Sequence, residues 1–242
     1  MEDPAPADAA PAELLAAARD VIAAAAASGV TLRLLGGIAV FHLARSARLG
    51  PLTRGYHDFD VVVPSKQGGP AARIFRAAGY GEDPHFNALH GARRLIFQAP
   101  AGFVVDVVVG EFQMCHRLSM DLPATGLTVD PADLLLTKLQ VVQIAEKDLI
   151  DATALLLDVE IDPARFAAPL AADWGFHHTV ERNLLQVAGY ANERLPGVMG
   201  EAVASAAGRL GEAMATAPKS LRWKARARLG ERMPWYELPE EV

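Results

Sequence analysis

The sequence contains a single cysteine, Cys115, and that scarcity excludes two kinds of stabilised fold. One thiol cannot build an intrachain disulfide framework, and it cannot supply the several thiolates of a cysteine zinc site. Sparing use of cysteine is compatible with a reducing compartment. We therefore expect a cytoplasmic protein whose stability comes from a hydrophobic core.

Aromatic residues are also few. They make up 7% of the chain although 51% of it is hydrophobic, because much of that share is alanine. An alanine-rich composition favours helices over sheet. The chain is 242 residues long, 21% charged and of net charge −6, which excludes wholesale disorder. The acidic balance also argues against a general nucleic-acid coat, although a local basic patch stays compatible with it.

The chain lacks a basic start and a long apolar run. The first ten residues carry Glu2, Asp3 and Asp8 but no lysine or arginine, so the basic region of a secretory signal peptide is missing. The most apolar early run, 21–30, is about half the length that a bilayer requires. We expect residues 1–11 to form a disordered tail and the protein to have no membrane partner.

The apolar pattern predicts two regions after this tail. Residues 12–125 alternate short apolar strands with helices, whereas 126–242 show helical spacing. We predict the α+β class, with a small mixed β-sheet flanked by helices and followed by a helical C-terminal region. The polar stretch 85–94 is expected to be a solvated loop or the rim of a substrate site. The predicted strands are 31–35, 58–63, 93–98 and 103–109, and the predicted helices are 11–28, 38–48, 67–78, 130–144, 149–157, 176–192, 196–215 and 219–229.

Three aspartates interrupt the most apolar predicted strands. A strand alternates its faces with a period of two residues, so Asp58 and Asp60 point the same way. Asp106 lies among five valines, where a carboxylate is costly unless it is paired or metal-bound. A divalent cation relieves the repulsion between neighbouring carboxylates, and hard oxygen ligands suit Mg²⁺ held with phosphate oxygens. All three are candidate metal-binding and catalytic residues, and strand-end or salt-bridged aspartates are the structural alternative.

Gly36 and Gly37 stand between a predicted strand and a predicted helix. Backbone N–H groups at a helix N-terminus can receive phosphate oxygens, and glycine lets the backbone approach them closely. The structural alternative is an ordinary tight turn. The position of these glycines about 20 residues before Asp58 favours a phosphate-binding turn.

The order of these motifs resembles a known pattern. Gly36-Gly37, Arg54, Asp58-Phe59-Asp60 and Asp106 follow one another as in the DNA polymerase β-type nucleotidyltransferase superfamily. In that superfamily a Gly-Gly or Gly-Ser turn precedes Asp-x-Asp on the next strand, and a third carboxylate follows on a later strand. The superfamily's frequent serine is Gly37 here, so one hydroxyl contact to phosphate is missing.

Two further segments resemble the AbiEii-like, toxin-type branch of the superfamily. These are Leu-Thr-Lys-Leu at 136–139 and Glu-Lys-Asp-Leu-Ile-Asp at 146–151. Members of this branch are often toxins of toxin–antitoxin pairs, so the resemblance implies a possible antitoxin partner. The resemblance covers about 32–157, and the remaining residues resemble no family that we can name.

The resemblance implies an Mg²⁺-dependent nucleotidyltransferase with the nucleotidyltransferase fold over 12–125. Such an enzyme transfers NMP from an NTP, ATP among them, to an acceptor hydroxyl and releases pyrophosphate. The three aspartates would hold two Mg²⁺ ions, and Gly36 and Gly37 would cradle phosphates. Arg54 and Lys138 would neutralise triphosphate charge. The alternative is a non-catalytic nucleotide-sensing or partner-binding protein, which the missing serine supports.

Lys138 also has a structural alternative, as a surface lysine whose stem packs on apolar neighbours. Asp148 and Asp151, three apart on one predicted helix face, are expected to form structural ion pairs.

The C-terminal part carries a local positive charge. Six basic residues and one acidic residue lie in 219–232, a net charge of +5, and tryptophans interleave with them. Such a helix can contact RNA phosphates, and the alternative is a solvated amphipathic helix. The acceptor is predicted to be tRNA or another macromolecule, or a small hydroxylated molecule. The candidate acceptor contacts are Lys219, Arg222, Lys224 and Arg226.

Overall fold

The computed structural model describes residues 10–238, which divide into two compact units. The sheet unit comprises 10–42, 54–112 and 119–130, and the helical unit comprises 43–53, 113–118 and 131–238. Of the tail expected over 1–11, residues 1–9 lie outside the described part, and Pro11 already begins the first helix. The domain boundary expected after residue 125 stays a prediction.

The sheet unit is built on five strands in the order β1-β2-β5-β4-β3. β2 and β5 run parallel, and each other neighbouring pair is antiparallel. The strands predicted from the apolar runs are confirmed, and the two-residue β3 was not predicted. Their bounds are β1 (Arg33–Leu35), β2 (Asp58–Val63), β3 (Gly81–Glu82), β4 (Arg94–Gln98) and β5 (Val104–Val109).

The sheet has one apolar face and one face with charged residues. Phe59 and Val105 stand opposite each other in register, and both are fully buried. Phe97 extends this apolar face, and its ring stacks on Phe75 of α3 at 4.8 Å between centroids. Because side chains alternate along a strand, the residues between these positions point to the other face. That face carries the three aspartates of β2 and β5.

Four helices belong to the sheet unit or begin in it. α2 starts directly after β1 and ends at Leu43, five residues earlier than predicted. The loop expected over 85–94 contains a helix instead, because Asp83 accepts a hydrogen bond from the Phe86 N–H at 2.8 Å and Pro84 occupies the first turn. The bounds are α1 (Pro11–Ala27), α2 (Gly36–Leu43), α3 (Gly68–Ala77), which follows a 3-10 turn at Ser65–Gln67, and α4 (Pro84–His90).

Residues 127–129 run along the outer edge of β1. The Leu34 N–H donates to the Leu127 carbonyl at 2.8 Å, and the Val129 N–H donates to the Leu34 carbonyl at 3.0 Å. This segment was expected in the helical region, and it lies in the sheet unit. It satisfies backbone groups of a strand edge that would otherwise stay unpaired.

Six helices form most of the helical unit. α5 ends at Leu139 rather than near 144, and the Asn183 amide donates to the carbonyls of Leu139 and Val141, both at 2.8 Å. α7 was not predicted, although Asp162 caps it and Pro163 begins it. The bounds are α5 (Pro131–Leu139), α6 (Glu146–Asp158), α7 (Pro163–Ala172), α8 (Trp174–Arg194), α9 (Gly197–Thr216) and α10 (Leu221–Leu229), with a 3-10 turn at Gly230–Arg232 and a small sheet of β6 (Phe112–Gln113) and β7 (Arg117–Leu118).

Across residues 10–238, none of the helices combines the length and the apolar character needed to cross a membrane.

Candidate functional site

The parallel pairing of β2 and β5 brings two of the predicted aspartates side by side. Asp60 and Asp106 are register partners, and both side chains are only partly exposed. Asp58 lies one pleat earlier on the same face of β2, opposite Val104, and it is exposed. The expected shared face is therefore observed, with Asp60 and Asp106 at its centre and Asp58 at its rim.

The glycine turn lies against the Asp60 carboxylate. Leu35, the last residue of β1, is the register partner of Asp60, so the chain turns into α2 directly beside it. Gly36 has a φ of +67°, a backbone conformation that residues with a side chain rarely adopt. A Cβ placed on Gly36 would overlap the Asp60 carboxylate and lie 2.7 Å from its Cγ. The absence of a side chain at 36 thus permits the contact between turn and carboxylate.

Gly37 is enclosed by Arg54 and Tyr56. A Cβ on Gly37 would overlap the Arg54 guanidinium and lie 2.9 Å from two ring carbons of Tyr56. The Arg54 guanidinium stacks over that ring, 4.1 Å from its centroid, and its Nη1 donates to the Gly55 carbonyl at 2.9 Å. These two side chains fill the place that a serine at 37 would need, so the glycine is matched to its neighbours.

Asp106 carries an ion pair, as its structural alternative had it, with a partner that the sequence pattern did not identify. Arg94 on β4 donates from Nε to Asp106 Oδ2 at 2.7 Å, and its Nη2 lies 2.5 Å from the same oxygen. This hydrogen bond and the charges of Asp106 and Asp60 raise the pKa of Arg94, against an opposing effect of burial. The other oxygen, Asp106 Oδ1, is buried and has no hydrogen-bond partner among the residues that the structure describes.

The predicted hairpin contained the information needed to find Arg94. Arg94 pairs with Val108 and Ile96 with Asp106, so Arg94 lies diagonally across from Asp106 on the same face. The predicted strand 93–98 included Arg94, but this residue was interpreted with the polar stretch 85–94 as part of a loop or rim, and the face of the strand on which it lies was not considered. The strand register, once known, places this cation beside the carboxylate.

The donor set fits a hard divalent cation on chemical grounds. Asp60 and Asp106 supply carboxylate oxygens side by side, and the unpartnered Asp106 Oδ1 is a buried acceptor that a cation would satisfy. Within residues 10–238, however, no group of three or more His, Cys, Asp or Glu side chains is arranged closely enough to hold a metal ion. Asp106 Oδ2 is already held by Arg94, so the carboxylates by themselves do not make a closed protein cage.

Lys138, a predicted phosphate ligand, lies in the helical unit. Its Nζ is 2.9 Å from Asp151 Oδ2 and 3.5 Å from Asp148 Oδ1. The side chain of Lys138 is only 11% exposed and that of Asp151 is fully buried. The interpretation of Asp148 and Asp151 as ion-pairing residues matches this geometry, with Lys138 as their cation.

The four candidate acceptor contacts fall into two groups. Lys219 donates to the carbonyls of Met214 and Ala215 at 2.6 and 2.8 Å and so caps the end of α9. Arg226 donates to the Gly230 carbonyl at 2.7 Å, with its guanidinium 4.5 Å from the centre of the Trp174 ring. Arg222 and Lys224 are exposed on α10. A cleft of about 660 Å³ beside them is lined by Arg117, Trp174, Arg222, Trp223, Arg226, Trp235 and Tyr236, among other residues.

Two solved structures resemble the chain over most of its length. The solution structure of the antibiotic-resistance factor ANT(2'')-Ia has a TM-score of 0.37 and 13% identity and covers 92% of this chain and 97% of that one. The crystal structure of an antigenic nucleotidyltransferase-like protein from Paracoccidioides brasiliensis has a TM-score of 0.39 and 12% identity, with coverages of 90% and 97%. No family model and no curated protein matches the chain. Likenesses this distant carry no weight for function, which has to be inferred from the side chains.

Proposed function

We propose that the protein is an Mg²⁺-dependent nucleotidyltransferase that transfers NMP from an NTP to an acceptor hydroxyl. The observation that carries this proposal is the position of Asp60, whose carboxylate touches the glycine turn and stands next to Asp106. Nucleotide transfer needs phosphates and a metal ion bound together, because the ion neutralises the charge of the reacting phosphates. A backbone turn in contact with a carboxylate pair meets that need.

Each candidate site residue of the sheet unit has a role in the proposed reaction. The acceptor oxygen forms a bond to the α-phosphorus as the bond from that phosphorus to the pyrophosphate oxygen breaks. Asp106 Oδ1, which has no partner among the described residues, is the proposed base for the hydroxyl proton. Gly36 and Gly37 offer backbone N–H groups to the phosphates, and Arg54 beside them offers a positive charge.

Asp58, Asp60 and Asp106 are the proposed Mg²⁺ ligands, for two ions as the resemblance implies. Bound Mg²⁺ would supply neutralisation of the negative charge on the phosphates. The role of Lys138 as a cation for the triphosphate stays a prediction; within the helical unit, Asp148 and Asp151 fix its position. Its ion pairs lower the cost of keeping a lysine charge in a largely buried place.

The decisive test compares Asp60→Asn with Asp20→Asn. Asp20 is an exposed aspartate of α1 in the same unit, so the control removes the same charge outside the site. We expect Asp60→Asn to reduce label transfer from α-phosphate-labelled NTPs by about 100-fold or more, and Asp20→Asn to leave it unchanged. The acceptors offered are total RNA, protein extract and a panel of small hydroxylated molecules. Absence of both transfer and metal-dependent NTP binding in the wild type would overturn the proposal.

Of the proposed acceptors, exposed basic residues in the helical unit favour a polyanion such as tRNA. α10 presents Arg222 and Lys224 to solvent, while Lys219 and Arg226 hold the backbone around it. In the same assay, Arg222→Glu/Lys224→Glu should weaken labelling of RNA, and the equally charged Lys66→Glu/Arg73→Glu variant should not. Equal labelling by both variants, or label found only on small molecules, would exclude RNA contact by α10.

The alternative function is a non-catalytic nucleotide sensor or partner-binding protein. Two observations favour it: Arg94 already neutralises Asp106, and the space for a serine hydroxyl at 37 is filled. Calorimetry with NTP and Mg²⁺ distinguishes the functions, because binding that is abolished by Asp60→Asn without any transfer would identify the sensor. The antitoxin partner implied by the resemblance stays a prediction.

A further inference from the structure

Arg94 occupies the position of a counter-ion to the carboxylate pair. Its guanidinium makes both of its short contacts to one oxygen, Asp106 Oδ2, and leaves Oδ1 of the same carboxylate unpartnered within residues 10–238. A guanidinium that only anchored a strand hairpin would be expected to use both carboxylate oxygens in the usual parallel fork. Here one oxygen of Asp106 is paired with the guanidinium, and the other is buried without a hydrogen-bond partner among the described residues.

The surroundings of Arg94 allow its guanidinium to pair with Asp106 and also to leave that carboxylate for another anion. Its side chain is 42% exposed, whereas that of Asp106 is 17% exposed. The Phe86 ring of α4 lies 5.5 Å from the guanidinium, so an aromatic face borders the cation on the side of that helix. The partly exposed side chain of Arg94 can be reached by a second anion from solvent, while Asp106 stays fixed in the sheet.

We propose that Arg94 acts as a built-in counter-ion that competes with a divalent cation for Asp106 and yields its place when a nucleotide triphosphate binds. This inference rests on the proposed function. Without a nucleotide, Arg94 neutralises the carboxylate pair and keeps divalent cations weakly bound. With a nucleotide, the phosphates offer the guanidinium a second anionic partner, and Asp106 becomes free for the metal.

Competition of this kind makes metal and nucleotide binding interdependent. Two ligands that are coupled through one protein group strengthen each other's binding by the same factor, which lies commonly between about 5-fold and 150-fold. The full chain should therefore bind Mn²⁺ poorly by itself and much better with a non-hydrolysable NTP. Arg94 is in this scheme a positioning residue, since it acts by controlling the availability of Asp106.

The test measures Mn²⁺ binding directly, from the electron paramagnetic resonance signal of free Mn²⁺, in wild type, Arg94→Gln and Arg94→Lys. Arg94→Gln removes the competing charge, so we expect Mn²⁺ without nucleotide to bind at least about fivefold more tightly than to the wild type. Arg94→Lys keeps the charge but cannot make the same pair of contacts, so its affinity should lie between the two. The control is Arg76→Gln, which breaks the Arg76–Glu82 ion pair (3.0 Å) in the same unit and should leave Mn²⁺ binding unchanged.

Adding Asp106→Asn to Arg94→Gln should remove the gain, because the competition is for that carboxylate. Equal or weaker Mn²⁺ binding in both Arg94 variants overturns the counter-ion proposal, whatever the transfer assay shows. If the wild type transfers NMP but both Arg94 variants bind Mn²⁺ with the affinity of the wild type, the proposed function stands and this inference is wrong. If the wild type and both Arg94 variants fail to bind Mn²⁺ with and without nucleotide, and no transfer occurs, both are wrong.

Discussion

At the scale of single residues, the site depends on a contact that only glycine allows. Gly36 combines a positive φ with the immediate approach of the Asp60 carboxylate, whereas Gly29 has a similar φ of +71° and nothing within 4 Å of the place that a Cβ would take. Substitutions at the two glycines can therefore be compared: at Gly29 only backbone strain is added, whereas at Gly36 the contact with Asp60 is lost as well. Left-handed backbone costs roughly 1–2 kcal/mol for a residue with a side chain.

We expect Gly29→Ala to lower the free energy of unfolding by about 1 kcal/mol and to leave NMP transfer intact. Gly36→Ala should lower the free energy of unfolding by more, because the new methyl group displaces Asp60, and it should abolish NTP binding. Urea unfolding and calorimetry with Mg²⁺ and NTP provide the two measurements. Equal effects of the two substitutions on nucleotide binding would show that the turn does not need to touch Asp60.

At the scale of elements, the side chain of Asn87 joins α4 to β4 by hydrogen bonds. The Asn87 amide donates to the Ile96 carbonyl at 3.1 Å, and its Oδ1 accepts from the Ile96 N–H at 2.7 Å. Ile96 is the register partner of Asp106, so this link holds the strand next to the site. The Ile96 carbonyl also accepts from the Asp83 N–H at 3.2 Å, whereas the Asn87 side chain is the acceptor for the Ile96 N–H.

Asn87→Ala should lower the free energy of unfolding by about 1–3 kcal/mol, because it leaves the Ile96 N–H without its acceptor, while the Ile96 carbonyl keeps the Asp83 N–H. Native-state hydrogen exchange should show faster exchange of the Ile96 amide. Asn192→Ala, in an exposed position of α8, serves as the control and should change neither quantity. Unchanged exchange at Ile96 would show that α4 and β4 are held together by other contacts.

The sequence predicted those elements whose pattern is local. β2 and β5 followed from runs of valine broken by aspartate, and the hairpin of β4 and β5 followed from Pro100-Ala101-Gly102. The early end of α5 was not predictable, since its last carbonyls are satisfied by Asn183, more than 40 residues away. α4 and α7 were overlooked although each has an aspartate cap followed by proline, because their apolar faces are short.

In the candidate site, too, features with a local sequence pattern were predicted and features that depend on distant residues were not. Period-two alternation placed Asp58 and Asp60 on one face, but only the parallel register of β2 and β5 could bring Asp106 opposite Asp60. Strand pairing between segments about 45 residues apart is decided by the whole core, so sequence periodicity gave candidates without their distances. A salt-bridged Asp106 was one of the alternatives, but its partner Arg94 was not predicted because their contact depends on the strand register as well.

At the scale of the whole molecule, stability should depend on pH through a buried histidine. His116 in the helical unit is 6% exposed, its Nε2 lies 2.9 Å from Thr179 Oγ1, and its ring stacks on Phe176 at 5.1 Å. Burial lowers the pKa of His116 from 6.5 to about 4. Burial also lowers the pKa of His177, so both groups act in the same direction.

The unfolded chain binds a proton at His116 below pH 6.5, whereas the folded chain does so only near pH 4. Stability is therefore fully present above pH 6.5 and should decrease by up to about 3 kcal/mol as the pH falls to about 4. Urea unfolding at pH 7 and pH 4.5 measures this change. His116→Gln should flatten the dependence, while His85→Gln, at an exposed position, should not. An equal pH dependence in all three proteins would assign it to other groups.

The alternation of Asp106 with valines also bears on how the chain avoids misfolding. With valine at 104, 105 and 107–109, β5 would be an uninterrupted run of one β-branched residue without that carboxylate, and such runs pair promiscuously with themselves and with other strands. A slip of one residue against β2 would turn Asp106 toward the apolar face that carries Phe97, where an unpaired carboxylate is heavily penalised. We therefore expect Asp106 to limit aggregation through β5 and to disfavour incorrect pairing registers of β5 during folding. The proposed role of Asp106 in NMP transfer and its role in strand pairing would then both depend on the same residue, and we expect an Asp106→Val protein to precipitate rather than accumulate in soluble form.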